Sequence, residues 1–180
     1  MTRIVAGEWK GHPLPRMKHG PVRPTTERGR TMLFDTLGDL RDLRVLDLFS
    51  GSGALGFEAL SRGAASLVSV ERDRRYTRQQ QQWIRDHDAD TRCRILGASF
   101  PGVLEHLEGP FDLILADPPY RYALKTDSLD RIETLLGSDG RFVHERNRHD
   151  EEPLSFARLE LVKEKVVAET RFQIYKVCQK

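Results

Sequence analysis

Short apolar runs of strand length alternate with stretches of helical spacing along most of the chain. Val45-Leu46, Leu67-Val68, Ile95-Leu96, Leu113-Ile114-Leu115 and Phe142-Val143 predict strands over residues 44–48, 67–71, 92–96, 111–116 and 140–145. Helices are predicted between them over residues 54–62, 74–87 and 126–136, with a shorter one over 100–107. The run of glutamines at 79–82 reads as a solvated face of the second of these. Two further strands, 158–166 and 169–177, sit too close together for a crossover and predict an antiparallel finish. Alternating strands and helices imply an α/β fold, a Rossmann-like doubly wound parallel sheet whose last strand is antiparallel.

The leading residues follow another pattern. Residues 3–14 predict a small β-hairpin, with Gly7 and Gly11 as turn or bulge positions. Pro15, Gly20, Pro21 and Pro24 then mark a connector without regular structure. Thr25 and Thr26 are candidate caps for a helix over 27–37, in which Met32, Leu33 and Leu37 form the apolar stripe. Arg23, Arg28 and Arg30 would face either a phosphate backbone or solvent. The expected division is residues 1–24 as a basic extension and 25–180 as the sheet domain.

Charge sharpens that division. The whole chain carries a formal +2, with 31% charged and 38% hydrophobic residues, ordinary for a soluble globular protein. Residues 1–30 hold seven Arg or Lys against Glu8 and Glu27, a net +5 that leaves −3 on the remainder. A basic leader on a mildly acidic body suits a polyanionic partner. Arg3, Lys10, Arg16, Lys18, Arg23 and Arg28 are the candidate contacts. Trp9, set between them, would either stack on a base or close a small core. No apolar stretch could span a bilayer and no signal-peptide core is present, so a monomer in the cytoplasm is expected. Neither Cys93, Cys178 nor the six histidines have metal-ligand spacing, and no metal is expected.

Candidate chemistry concentrates at two strand ends. The strand over 111–116 stops in Asp117-Pro118-Pro119-Tyr120. Prolines lack an N–H, so this tip offers only acceptors, a carboxylate and carbonyls, beside one aromatic face. It suits a planar group bearing an NH2, the exocyclic amine of a nucleobase. The first strand ends in Asp47-Leu48-Phe49-Ser50-Gly51-Ser52-Gly53-Ala54-Leu55-Gly56, whose glycine spacing matches a nucleotide-binding turn. Glu71, closing the second strand eighteen residues after Gly53, could accept ribose hydroxyls. Both loops should meet at the switch point in strand order. A nicotinamide dinucleotide and S-adenosylmethionine both fit the spacing. Asp47 would crowd a pyrophosphate but suits the cationic amino-acid end of the latter, so methyl transfer is the better reading.

The motifs Arg3-Ile4-Val5-Ala6-Gly7-Glu8-Trp9-Lys10-Gly11, Arg23-Pro24-Thr25-Thr26-Glu27-Arg28, Leu33-Phe34-Asp35, the glycine stretch with Glu58-Ala59-Leu60-Ser61-Arg62-Gly63-Ala64, and Asp117-Pro118-Pro119-Tyr120 occur in that order. Together they resemble the RsmD-type 16S ribosomal RNA guanine-N2 methyltransferases over most of the chain. The resemblance implies a class I S-adenosylmethionine-dependent methyltransferase fold with an N-terminal hairpin, acting on one guanine of the small ribosomal subunit. Cofactor contacts are then expected from Asp47, Phe49, Gly51, Gly53, Glu71, Arg72, Ala98, Ser99 and Asp117, and catalysis from Asp117, Pro118, Pro119 and Tyr120. Gly97 departs from the pattern, since relatives of this fold often carry Asp or Asn there; the backbone of Ala98 and Ser99 is the substitute. A DNA amino-methyltransferase and a non-catalytic RNA-binding assembly factor are the alternatives.

Overall fold

The computed structural model describes residues 2–16, 26–119, 122–150 and 153–178. Helix α1 (Glu27–Leu37) precedes a run of β1 (Arg44–Asp47), α2 (Ala54–Ser61), β2 (Ser66–Val70), α3 (Arg74–Asp86), β3 (Cys93–Leu96), β4 (Phe111–Ala116), α4 (Thr126–Leu135) and β5 (Leu136–Asn147). The antiparallel pair β6 (Leu159–Val167) and β7 (Thr170–Val177) closes the chain. All seven strands form one mixed sheet in the order β3-β2-β1-β4-β5-β7-β6. Pairings from β3 to β5 are parallel, whereas β7 runs antiparallel to both neighbours.

Alternation along the strands divides the core between two faces. Val45, Leu113 and Leu115 pack with α1, α2 and α3, while Leu46, Ile114 and Ala116 pack with α4 on the opposite side. Successive strand side chains point to opposite faces, and central strands covered on both sides are therefore apolar throughout. Thr26 caps α1 as expected, its hydroxyl accepting the Gly29 amide at 3.0 Å. The segment expected as a helix over 100–107 is a 3₁₀ turn, Gly102–His106. Strand β5 starts earlier than expected because Leu136 pairs with Phe111 directly after α4.

The leading hairpin is reduced to a single antiparallel bridge, Arg3 to Pro13, closed by bonds such as Ile4 N–H to the His12 carbonyl at 3.0 Å. It is welded to the sheet domain. The buried Glu58 carboxylate accepts the Val5 and Ala6 amides at 2.8 and 3.0 Å, and Ser61 Oγ accepts the Trp9 amide at 3.0 Å. Gly7, at φ +85°, allows the approach; a Cβ there would sit 1.8 Å from the Ser61 carbonyl oxygen. Trp9 is 5% exposed and meets Trp83 edge-on at 5.2 Å, and Trp83 in turn stacks on Phe57 at 4.3 Å. Such aromatic pairs add ~0.5–1.5 kcal/mol beyond their buried area. Trp9 thus closes a small core and presents no face for a base.

Arg30 is corrected likewise. It faces neither phosphate nor solvent: fully buried, it donates to the Arg3 carbonyl at 2.5 Å and lies 3.9 Å from Glu58. Burial lowers its pKa, with Glu58 the leading opposing influence. The boundary expected at residue 24, together with Lys18 and Arg23, falls outside the described residues.

Candidate active site

Strand order reverses between β1 and β4, which pair in parallel with Asp47 opposite Leu115. Two residues beyond that matched pair stand Phe49 on one chain and Asp117 on the other. The glycine loop and the acceptor tip therefore leave the sheet side by side, where open α/β sheets bind ligands.

The loop after β1 is held from several directions. Gly53 lies in the left-handed region at φ +81° and caps α2, and a Cβ there would lie 2.5 Å from the Phe57 ring. Asp47 Oδ2 accepts the Gly56 amide at 3.0 Å from beneath. Glu71 accepts the Gly51 amide at 2.9 Å through Oε2 and the Asp73 amide at 2.7 Å through Oε1. Gln80 finishes the frame, its amide nitrogen donating to Ser50 Oγ at 2.9 Å and the Gly51 carbonyl at 2.8 Å. Its carbonyl accepts the Ser69 hydroxyl at 2.7 Å.

Gln80 is fully buried, against the expectation that residues 79–82 form a solvated face. The signal was present: Tyr76, Gln80 and Trp83 recur at helical spacing on the buried stripe of α3, so a polar residue there needs partners inside.

Asp47 has a different place from the one expected. At 1% exposure it lies under the loop, away from the open crevice. Burial pushes its carboxyl up to about 7; the Gly56 and Phe49 amides pull the other way, and Glu71 and Glu145 add to the rise. Only the Gly56 contact has hydrogen-bond geometry, and Oδ1 is buried without a partner. The carboxylate shapes the loop from below.

The remaining candidates line the open side. Glu71 is half-buried and Arg72 exposed. A carboxylate has about four lone-pair positions, so Glu71, already oriented by two amides, keeps acceptors for a vicinal diol. These acceptors thus fit the ribose of a nucleoside cofactor. The Ala98 amide is committed to the Leu96 carbonyl at 3.0 Å, whereas Ser99 is exposed and its amide makes no bond among the described residues. Phe49 meets Phe100 at 4.9 Å and Tyr122 at 5.7 Å, a cluster of three rings beside the loop. Neither Phe100 nor Tyr122 was singled out in the sequence, because no motif carries them.

At the tip, Asp117 and Pro118 are half-buried and Pro119 is exposed. The Pro119 carbonyl accepts the Tyr122 amide at 2.9 Å, while the Pro118 carbonyl has no partner among the described residues. Tyr120, the expected stacking ring, lies outside them. Of the basic candidates, Lys10, Arg16 and Arg28 are exposed, and Arg3 donates to the Gly11 carbonyl at 2.7 Å.

Acceptors at the ends of β2 and β4, on either side of the glycine loop that follows β1, suit transfer of a group from a bound nucleoside to nitrogen, and the reversed last strand completes the fold of a Rossmann-like methyltransferase. The comparisons agree. A family profile described as "Conserved hypothetical protein 95" matches residues 2–176. The chain is 32% identical over 176 residues to ribosomal RNA small subunit methyltransferase D of Escherichia coli, covering 96% of this chain and 88% of that one. A solved structure of a putative methyltransferase from Escherichia coli superposes with a TM-score of 0.85 at 31% identity, covering 97% of each chain. A putative methyltransferase solved with S-adenosylhomocysteine shares the fold, with a TM-score of 0.67 at 16% identity, over 87% of this chain and 50% of that one. This chain belongs to the small-subunit ribosomal RNA methyltransferase D family.

Proposed function

We propose that the chain methylates the exocyclic N2 amine of one guanine in 16S ribosomal RNA of the small subunit, with S-adenosylmethionine as donor. The observation that carries this reading is the pairing of β1 with β4, which sets the Asp117-Pro118 acceptors beside the glycine loop. The name of the Escherichia coli relative supports the substrate, and the fold neighbour solved with S-adenosylhomocysteine supports the cofactor.

Glu71 would hold the ribose, the ordered loop at Gly51 and Gly53 would receive the amino-acid end, and Ser99 would face the adenine. When bound, the cofactor supplies an electrophilic methyl carbon on a sulfonium. Guanine N2 is a weak nucleophile, since its lone pair is delocalised into the ring. The Asp117 carboxylate and the Pro118 carbonyl accept its two hydrogens, which localises the pair on nitrogen and aims it at the methyl group. Transfer would form the N–C bond as the donor's C–S bond broke with its electron pair going to sulfur, and Asp117 or water would take the proton that the amine loses. Fixing that alignment supplies up to ~7–11 kcal/mol of the barrier reduction in favourable systems. Tyr120 would stack on the extruded base, a contact worth about 1–3 kcal/mol.

Methyl transfer from labelled cofactor to small subunits, protein-free 16S RNA and duplex DNA tests the reading. Label is expected on guanine N2 of the RNA. Label on adenine N6 or cytosine N4 of DNA would assign a DNA enzyme instead, and no measurable cofactor affinity would leave only a binding protein.

A further inference from the structure

A further basic surface joins the end of the leader to the last strands of the chain. Helix α1 turns Gly29, Arg30, Leu33, Phe34 and Leu37 into the core. Its other stripe, which includes Arg28, Thr31, Met32 and Asp35, forms one wall of a cleft of about 500 Å³; Lys163 and Lys165 of β6 form the other. The sequence singled out neither lysine.

The charges in this cleft are unbalanced. Arg28, Lys163 and Lys165 make no ion pair among the described residues, in contrast to Arg41 with Asp39, Arg75 with Asp73, Arg92 with Glu8 and Arg171 with Glu164. The one acid in the cleft, Asp35, is shared with Arg62 at 3.3 Å, outside the lining. Three like charges from two elements converge against a single carboxylate among the described lining residues. Lysines on an edge strand guard against sheet-to-sheet association, but that role does not account for Arg28 on a helix or for the cleft between them.

The sheet register places this cleft relative to the tip. Ala116 pairs with His144, and one residue further Glu145 pairs with Phe172, which pairs with Lys165. Lys165 therefore stands at the height of Asp117, three strands away, or about 14 Å. Arg141, near the start of the parallel part of β5, donates to the Leu37 carbonyl at 2.6 Å, so α1 ends at the opposite edge of the sheet. Its Arg28 end rises toward the edge that carries the acceptor tip.

We infer that the cleft between α1 and β6 holds the phosphodiester backbone of RNA next to the nucleotide presented at the tip, an inference that rests on the RNA-methylating reading. Flexible lysines suit a strand of phosphates better than one fixed small anion. Among the described residues the lining contains no aromatic ring, so its contacts position the strand without reading bases.

The test is Lys163→Glu with Lys165→Glu, assayed for binding to a protein-free 16S RNA transcript over a salt series. The cleft's role requires at least a tenfold loss of affinity and a salt slope smaller by roughly 0.7–0.9 for each phosphate that the variant no longer neutralises. S-adenosylmethionine affinity should be retained, showing that the fold is intact. The milder pair Arg28→Gln with Lys163→Gln repeats the measurement without adding negative charge. Parental affinity and slope in both variants would overturn the assignment. So would loss of methylation on intact subunits with unchanged binding to free RNA, which points to an acidic protein surface. Methyl transfer by the parent reports on the enzymatic reading alone: a silent parent whose RNA affinity depends on these lysines would sink that reading and leave the cleft standing.

Discussion

The two loops at the switch point are built in opposite ways. The loop after β1 is braced by Asp47, Glu71 and Gln80, whose side chains satisfy its amides and carbonyls from three sides. The tip after β4 has two prolines with no N–H to brace, and its Pro118 carbonyl stays unpaired among the described residues. A cofactor of constant shape rewards a preformed cradle, since little ordering entropy remains to be lost on binding. On the proposed reading, the tip's carboxylate and carbonyl would meet the amine of an extruded base. One loop is braced by side chains, whereas the other is shaped by its prolines.

Four substitutions separate these roles. Asp117→Ala should give the largest effect, a fall in turnover of roughly 10²–10³-fold, the scale of losing one positioned polar group at a reacting centre. Cofactor affinity by titration calorimetry should fall far less than turnover, and normal turnover would remove Asp117 from the chemistry.

Asp47→Asn probes the loop through pH. Unfolded, the carboxyl ionises near 3.8; folded, burial holds its proton to about 7. Between those values the native state binds a proton that the unfolded chain has released, so this residue makes stability fall as pH rises through the window. The stability advantage of the variant should open from about pH 4, reach a few kcal/mol by pH 7 and then level off. His144 acts in the opposite sense. Burial, followed by the nearby Arg146 charge, lowers its pKa to about 3, so it withdraws stability as pH falls below about 6.5. The difference between parent and variant in denaturant titrations isolates Asp47, and a constant gap would contradict the raised pKa of the buried carboxyl.

Gln80→Leu strips partners from Ser50, Ser69 and Gly51 together. The expected cost is about 2 kcal/mol of unfolding free energy, with cofactor affinity about tenfold weaker. Turnover at saturating cofactor should survive. A variant with parental cofactor affinity would mean that the loop holds its shape without this brace.

Gly97→Asn should give the smallest change. A Cβ at Gly97 would meet only Thr77 Cγ2, at an ordinary 3.9 Å, so the side chain fits. One added hydrogen bond to adenine, worth ~1 kcal/mol, should tighten cofactor binding about fivefold. Weaker binding would show that the adenine lies elsewhere.

Local pattern carried the reading a long way. The run from Leu113 to Leu115 showed a strand, Gly51 and Gly53 a turn, and Asp117-Pro118-Pro119 its neighbour's end, because strand period, left-handed φ and missing N–H groups are properties of the residues themselves. Strand number and the reversed finish followed from the same signals. Composition misled where it was read without its helix face: the glutamine run looked solvated although Gln80 falls on the buried stripe.

The sequence by itself determined which segments extend or coil and which chemical groups stand at their ends. Tertiary structure alone decided what those groups meet: Asp47 turned under its loop, Trp9 packed against Trp83, Arg30 enclosed beside Glu58, and Lys163 and Lys165 set across a cleft from Arg28. The reason is physical. A residue's backbone preference is local, but its burial, its partners and the free energy of its charge depend on which distant segment the strand order lays beside it.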